Sequence, residues 1–196
     1  MKKIIMAAVL ASTFGAAQAS EKFNSGYVGV TAGSYSAEGK INGTKVKGDG
    51  AELGLGVVVG FHHRFAGSKF VLGGEGQIQQ NLGKASCVTC YNGGLASGDI
   101  KQAWNISVLP GFLVGDDSLL YARLGFGSVN YERKVGSFQA TDDVDSSTYG
   151  LGYKAFVNEA TSLSVEYKSV KASKSYGVDK IEFDTAGIEV GVQYQF

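Results

Sequence analysis

From Tyr27 onward, apolar residues alternate with small or polar ones at a period of two over most of the chain. That period places every second side chain on one face of an extended strand. The final stretch shows it most cleanly. Ile188, Val190, Val192, Tyr194 and Phe196 share one face, and Glu189, Gly191, Gln193 and Gln195 share the other. The same alternation predicts eight strands in all, at about Tyr27–Tyr35, Ala51–Arg64, Phe70–Leu82, Ile100–Val114, Leu119–Tyr131, Thr148–Val157, Ser162–Val170 and Phe183–Phe196. The gaps between them run long, short, long, short, long, short, long; the long ones are 36–50, 83–99, 132–147 and 171–182. Pro110 cannot donate to a ladder, so a bulge or a strand end is expected there.

The two faces differ in chemistry. One carries residues such as Leu53, Val57, Trp104, Ile106, Leu124 and Val190. The other carries Glu52, Glu75, Arg123, Lys154, Glu166, Lys168 and Glu189, with Lys101 a further candidate. A soluble lipocalin-like barrel would turn its greasy face inward. A transmembrane barrel turns it to lipid, where a Lys or Arg at the midplane would cost roughly 2–4 kcal/mol. The ionisable groups on nearly every strand of the second face decide the sidedness, so the apolar face is expected outward. The alternating gap lengths match outer-membrane barrels, which join strands by short periplasmic turns and longer external connections. A β-sandwich has similar strands but no cause for that alternation. The fold class expected is therefore all-β: an eight-stranded antiparallel up-and-down transmembrane β-barrel. Such a barrel is only just wide enough for side chains to fill it, and buried charges must pair. The mixed ionic face thus predicts a salt-bridged plug, with Glu52, Lys101 and Lys168 nearest the rims. Breaking it, for example by Arg123→Ala, is expected to raise conductance.

The N-terminus changes the compartment. Met1-Lys2-Lys3, an Ala-rich apolar run and Ala17-Gln18-Ala19 have the form of a secretory signal peptide. Residues 1–19 are expected to be removed, leaving 20–196 as one barrel domain. The alternative, a membrane anchor, needs about 20 apolar residues, more than this run supplies. The whole chain has 18 basic and 18 acidic residues; loss of Lys2 and Lys3 tips the mature protein slightly acidic. No clustered basic surface suggests nucleic acid. The 29 Gly with a single Pro suit a curved sheet better than a disordered chain.

Few residues offer chemistry. Cys87 and Cys90 fall in the second long gap, and an oxidising compartment favours a local disulfide there. A redox role would need a helix N-terminus to activate a thiol, and a zinc site would need two further ligands. His62 and His63 are read as interfacial polar residues at the far end of the second strand. No nucleophile–base spacing points to an enzyme, and no metal or cofactor is expected. Asn42-Gly43 reads as a type I′ hairpin tip, so the first two strands are expected to extend above the membrane. Lys40, Lys45 and Lys47 make the first outer connection basic, Asp142, Asp143 and Asp145 make the third acidic, and Lys171, Lys174 and Lys180 make the fourth basic.

The run Leu109-Pro110-Gly111-Phe112, the acidic turn after it, Leu120-Tyr121-Ala122-Arg123-Leu124-Gly125-Phe126-Gly127 and the terminal strand resemble the OmpA-type and related porin-like or opacity-like barrels. The resemblance implies a monomer in the outer membrane of a Gram-negative bacterium. It implies interior acid–base pairs, for which Glu75, Arg123, Lys154 and Glu189 are the counterparts here. It makes Val190, Val192, Tyr194 and Phe196 the signal read by the barrel-assembly machinery. OmpA continues into a peptidoglycan-binding domain; this sequence ends at Phe196, so that anchoring is not expected. The function expected is structural: stabilising the envelope among lipid and lipopolysaccharide and showing outer loops to a host or neighbouring surface. A small gated channel and an adhesin are the alternatives.

Overall fold

The protein is described by a computed structural model covering residues 22–41, 44–91, 94–135, 138–176 and 179–196, with side chains described outside 39–49, 83–99, 131, 133–140 and 174–181. The signal-peptide reading, Asn42-Gly43, the side chains of Cys87 and Cys90, and those of Lys40, Lys45, Lys47, Lys174 and Lys180 lie outside the described residues.

Eight strands follow in order: β1 (Gly26–Ile41), β2 (Thr44–Arg64), β3 (Phe70–Tyr91), β4 (Gly94–Leu113), β5 (Ser118–Val135), β6 (Phe138–Phe156), β7 (Thr161–Tyr176) and β8 (Asp179–Gln195). Each pairs antiparallel with the next, and β1 closes on β8 from Tyr27↔Gln195 to Ile41↔Ile181. Tight connections at Phe65–Lys69, Val114–Asp117 and Val157–Ala160 lie at one end, where Gly67 (φ 70°) and Gly115 (φ 83°) take left-handed conformations. In the third, Asn158 Oδ1 accepts from the amides of Ala160 (3.0 Å) and Thr161 (2.7 Å), a side chain substituting for a turn carbonyl.

Sidedness is unambiguous. Val57, Leu124 and Val190 are 54%, 50% and 54% exposed, while Glu75 and Arg123 are 5% and 2% exposed. The greasy face is outside, which excludes the lipocalin arrangement. On six strands the apolar outward run ends at a polar residue toward the open end: Ser34 on β1, Gln80 on β3, Ser128 on β5, Ser147 on β6, Ser169 on β7 and Asp184 on β8. The outward apolar runs, from Val28, Val30 and Ala32 on β1 to Leu53, Leu55, Val57, Val59 and Phe61 on β2, approach the 9–11 residues a transmembrane strand needs.

Three sequence expectations require correction. Strands continue into all four long gaps, an extension expected only for the first, and β3 reaches 22 residues, roughly 70 Å of extended chain. Beyond the lipid both faces are wet, so the hydrophobic alternation vanishes while backbone pairing persists. Pro110 lies inside β4 opposite Leu72, neither ending the strand nor shifting the register; pairing with β5 lapses between Val108↔Leu124 and Gly111↔Tyr121 and resumes unchanged. An antiparallel residue bonds toward only one neighbour, so the missing N–H is confined to one seam. Lys101 points outward, because the β4–β5 register shifts between Ile100 and Gln102.

The projecting part is not a complete cylinder. β2 and β3 lose their pairing between Leu55↔Gln80 and Gly48↔Ala85, where Gly50 (φ 125°) and Asn81 (φ 59°) are left-handed. Among the described residues β6 and β7 pair as far as Ser146↔Ala172, although β6 continues on β5 to Phe138↔Val135 and β7 on β8 to Tyr176↔Asp179. Among the described residues the projecting wall is therefore open between β6 and β7 and is joined between β2 and β3 at Gly48↔Ala85.

Candidate functional site in the barrel interior

Arg123 on β5 is the hub of one ionic group. Its Nη2 lies 2.7 Å from Glu75 Oε1 and its Nε 2.6 Å from Glu166 Oε1. A second bond, Nη2 to Glu166 Oε2 at 3.0 Å, makes the Glu166 contact bidentate, the geometry a planar guanidinium favours. Tyrosines complete both carboxylates: Tyr27 donates to the free oxygen of Glu75, Oε2 (2.6 Å), and Tyr121 to Glu166 Oε2 (2.8 Å), which it shares with Arg123. Glycines make the room. A Cβ at Gly150 would collide with Glu166 Oε1, and one at Gly152 with the Tyr121 ring.

Lys168 on β7 centres a second group. Its Nζ donates to Glu189 Oε2 (2.7 Å), Gln77 Oε1 (2.9 Å) and Gln79 Oε1 (2.8 Å). Three donors and three acceptors saturate the ammonium. Glu189 is enclosed in turn by Gln77 Nε2 (3.0 Å to Oε1), the Gln79 amide and the Tyr35 hydroxyl. Lys168 is 0% exposed, so the expectation that it sits at a rim is corrected: barrel tilt carries this inward position to the middle of the lumen.

Lys154 lies below, toward the turn end. Its Nζ is 4.0 Å from the centroid of the Tyr27 ring and 3.4 Å from His62 Nε2. His62 stacks on Tyr27 at 4.6 Å and is 4% exposed. The interfacial reading holds for exposed His63 and fails for His62, which occupies the inward phase of β2. Glu52 is half-buried opposite Tyr35, outside both groups as described.

Among the described residues the six buried ionic ones balance: Glu75, Glu166 and Glu189 against Arg123, Lys154 and Lys168. They lie between two apolar tiers. Toward the turn end, Phe23, Val71, Leu109, Leu113, Leu119 and Tyr121 pack together with Phe156. Toward the projecting end, Tyr35, Leu82, Ile100, Ala103, Val129, Val144, Val170 and Ala172 pack with Phe183. A period of two puts Gln77, Gln79 and Tyr121 on the same face as Glu75 and Arg123, but sequence reasoning did not join them to the charges, and it missed the tiers. Their signal was the inward phase itself, read for ions and not for Tyr, Gln and aliphatics. Among the described residues no group of His, Cys, Asp and Glu is disposed to hold a metal ion.

On β8, Val190, Val192 and Tyr194 face outward. Phe196 donates its amide to Gly26 O (3.0 Å), and its ring covers Gly26.

The family model described as "Outer membrane protein beta-barrel domain" matches residues 5–196. No curated relative matches the sequence. Among solved structures, Neisserial surface protein A is similar with a TM-score of 0.53 at 12% identity, covering 87% of this chain and 97% of that one. The outer membrane protein AlkL in DMPC bilayers gives 0.52 at 13%, covering 93% and 95%. Ail of Yersinia pestis, in complex with the heparin analogue sucrose octasulfate, gives 0.48 at 15%, covering 86% and 99%. At these identities the likeness is one of fold.

Proposed function

We propose, on the premise that this chain belongs to the outer-membrane β-barrel domain family whose model spans it, that it is a closed, non-catalytic scaffold whose strands carry four hairpins into the medium outside a Gram-negative cell. The observation that carries this reading is the Arg123 hub bridging Glu75 and Glu166 beneath an apolar tier. Ions would have to cross a neutral, hydrogen-bonded layer and then a dry one. Hydrophobic constrictions close pores by dewetting.

In this reading residues 1–19 direct export, Cys87 and Cys90 form a disulfide near the tip of β3, and the protein acts as a monomer. Its partners are lipid, lipopolysaccharide and surfaces met by the hairpins, and the outward face of β8 engages the assembly machinery. Planar-bilayer recording on the purified, refolded barrel tests it. Silence at moderate voltage is expected. Steady, large openings would instead favour the channel reading.

A further inference from the structure

The structure assigns a movable part to the barrel. Residues 22–25, ahead of β1, form a strap over the turn-end mouth, with Phe23 as its stopper and the Lys22–Asp117 ion pair as its latch. Release of the strap opens the interior around His62 to solvent from that end. This goes beyond the scaffold reading, which needs only that the lumen be closed to ions.

The first observation is the stopper. Phe23 is fully buried and belongs to the apolar tier at the turn end. Among the described residues it is the one member of that tier outside the strands. Val71 lies on β3, Leu109 and Leu113 on β4, Leu119 and Tyr121 on β5, and Phe156 on β6. The upper tier is built from strand residues throughout. The two seals therefore differ in kind. The upper one is part of the wall, whereas the lower one depends on a ring carried in by a short segment. That ring stands edge-on to Phe156 at 4.9 Å and to His62 at 5.7 Å.

The second observation is how lightly the segment is tied. Lys22 Nζ lies 2.6 Å from Asp117 Oδ1 on the β4–β5 connection, with both side chains part-exposed, and 5.7 Å from the centre of the Phe156 ring. Asn24 Oδ1 accepts from the Arg64 amide at 3.4 Å, and Ser25 O accepts from the His62 amide at 2.9 Å. An ion pair open to solvent is screened by salt and holds weakly.

The third observation is that the seated strap carries costs. Phe23 has φ at 63°, a left-handed conformation that a bulky side chain disfavours. Ser25 Oγ and His62 Nδ1 are buried without a hydrogen-bond partner, which costs free energy that contact with water removes. Release relieves all three, against the burial of one ring. A segment so balanced opens locally while the rest of the fold stays intact.

Behind the stopper stands His62. Its Nε2 is 3.4 Å from Lys154 Nζ, and its ring stacks on Tyr27, whose hydroxyl donates to Glu75 at 2.6 Å. Opening the strap therefore turns the turn end of the lumen into a vestibule that reaches the first members of the ionic layer, while the upper tier stays shut.

The test uses the full refolded, untagged barrel carrying His63→Gln, which leaves His62 as the sole histidine of the chain. Diethyl pyrocarbonate acylates an accessible imidazole nitrogen, and mass spectrometry follows the modification of His62 with time. Slow modification is expected in this parent. Asp117→Asn should speed it about threefold, the scale of an exposed ion pair, and the charge swap Lys22→Asp/Asp117→Lys should restore the parent rate. Phe23→Ala should speed it about tenfold or more, since the stopper is gone. Added salt should speed the parent but not Asp117→Asn. Val129→Ser, in the upper tier, should leave the rate unchanged. Heat-dependent gel migration checks that each variant is folded, and the latch variants decide alone if Phe23→Ala does not fold. Modification of the folded parent as fast as that of the boiled protein would overturn the seal. Equal rates in the parent and Asp117→Asn would overturn the latch. Equal acceleration by Val129→Ser would reduce the strap to a general loosening of the barrel. Bilayer recording stays silent whether the strap is seated or released, so conduction sinks the closed scaffold and leaves this test standing.

Discussion

Glu166 and Glu189 stand directly opposite each other across the β7–β8 ladder, yet both are buried and each turns to a different cation. Glu166 is clasped by Arg123 at 2.6 Å, and Glu189 by Lys168 at 2.7 Å. Facing carboxylates on one sheet face repel. The repulsion is absorbed because Lys168 lies across from Gly187, which has no side chain to keep its ammonium from Glu189. The interior is therefore a set of interlocked pairs, and its members should respond to substitution as partners.

Lys168→Met should be strongly destabilising, by about 3–5 kcal/mol, because it leaves the Glu189 carboxylate buried without a counter-ion. Lys168→Met combined with Glu189→Gln should recover much of that loss, since the uncompensated charge is gone. Urea unfolding of the refolded barrel, followed by tryptophan fluorescence, measures both. A double variant as unstable as the single one would contradict the pairing.

Arg123→Ala should also lower stability, but it should not produce steady conductance. This revises the expectation formed from sequence, because the apolar tiers remain above and below the vacated hub. Opening a path should require polar substitutions in the upper tier as well, such as Val129→Ser with Val144→Ser. Bilayer recording of the single and triple variants distinguishes the two barriers.

Lipid-facing positions should show depth dependence. Leu124→Arg, in the middle of the β5 outward run, should cost about 2–4 kcal/mol, whereas Ser169→Arg, at the upper edge of the band on β7, should cost about 0–1 kcal/mol. Unfolding titrations in phospholipid vesicles compare them; equal costs would misplace the membrane boundary.

Gly152→Val should destabilise by about 1–3 kcal/mol through overpacking against Tyr121, and Tyr121→Ala in the same chain should relieve part of it. The coupling between the two substitutions, measured as a double-mutant cycle, should be favourable. Independent, additive effects would show that the ring and the glycine do not share this space.

Phe23 is fully buried, holds φ at 63° and packs edge-on to Phe156 at 4.9 Å. Phe23→Ala should cost about 3–5 kcal/mol and loosen the turn end of the lumen. Faster hydrogen exchange at Leu109–Leu113 and Leu119–Tyr121 would register it.

Alternation alone was enough to assign the eight strands, their order and the face each side chain takes. Val57, Leu124 and Val190 outward and Glu75, Arg123 and Glu166 inward follow from a period of two once the ionisable groups gathered on one face decide which side meets lipid. That reach ended where lipid ended: above Ser34, Gln80 and Ser147 nothing demands apolar residues, so paired strands looked like loops. It ended also at height. A period of two says in or out, never how far along the axis. Closure at a tilt brings Lys168 beside Gln77 and Gln79 from strands four apart in the chain, lifts Val129 and Val144 above the ions, and buries His62 against Tyr27. Only the closed, sheared wall could decide those neighbours, and only its register could show where β6 and β7 part, because both depend on how separate strands slide against one another.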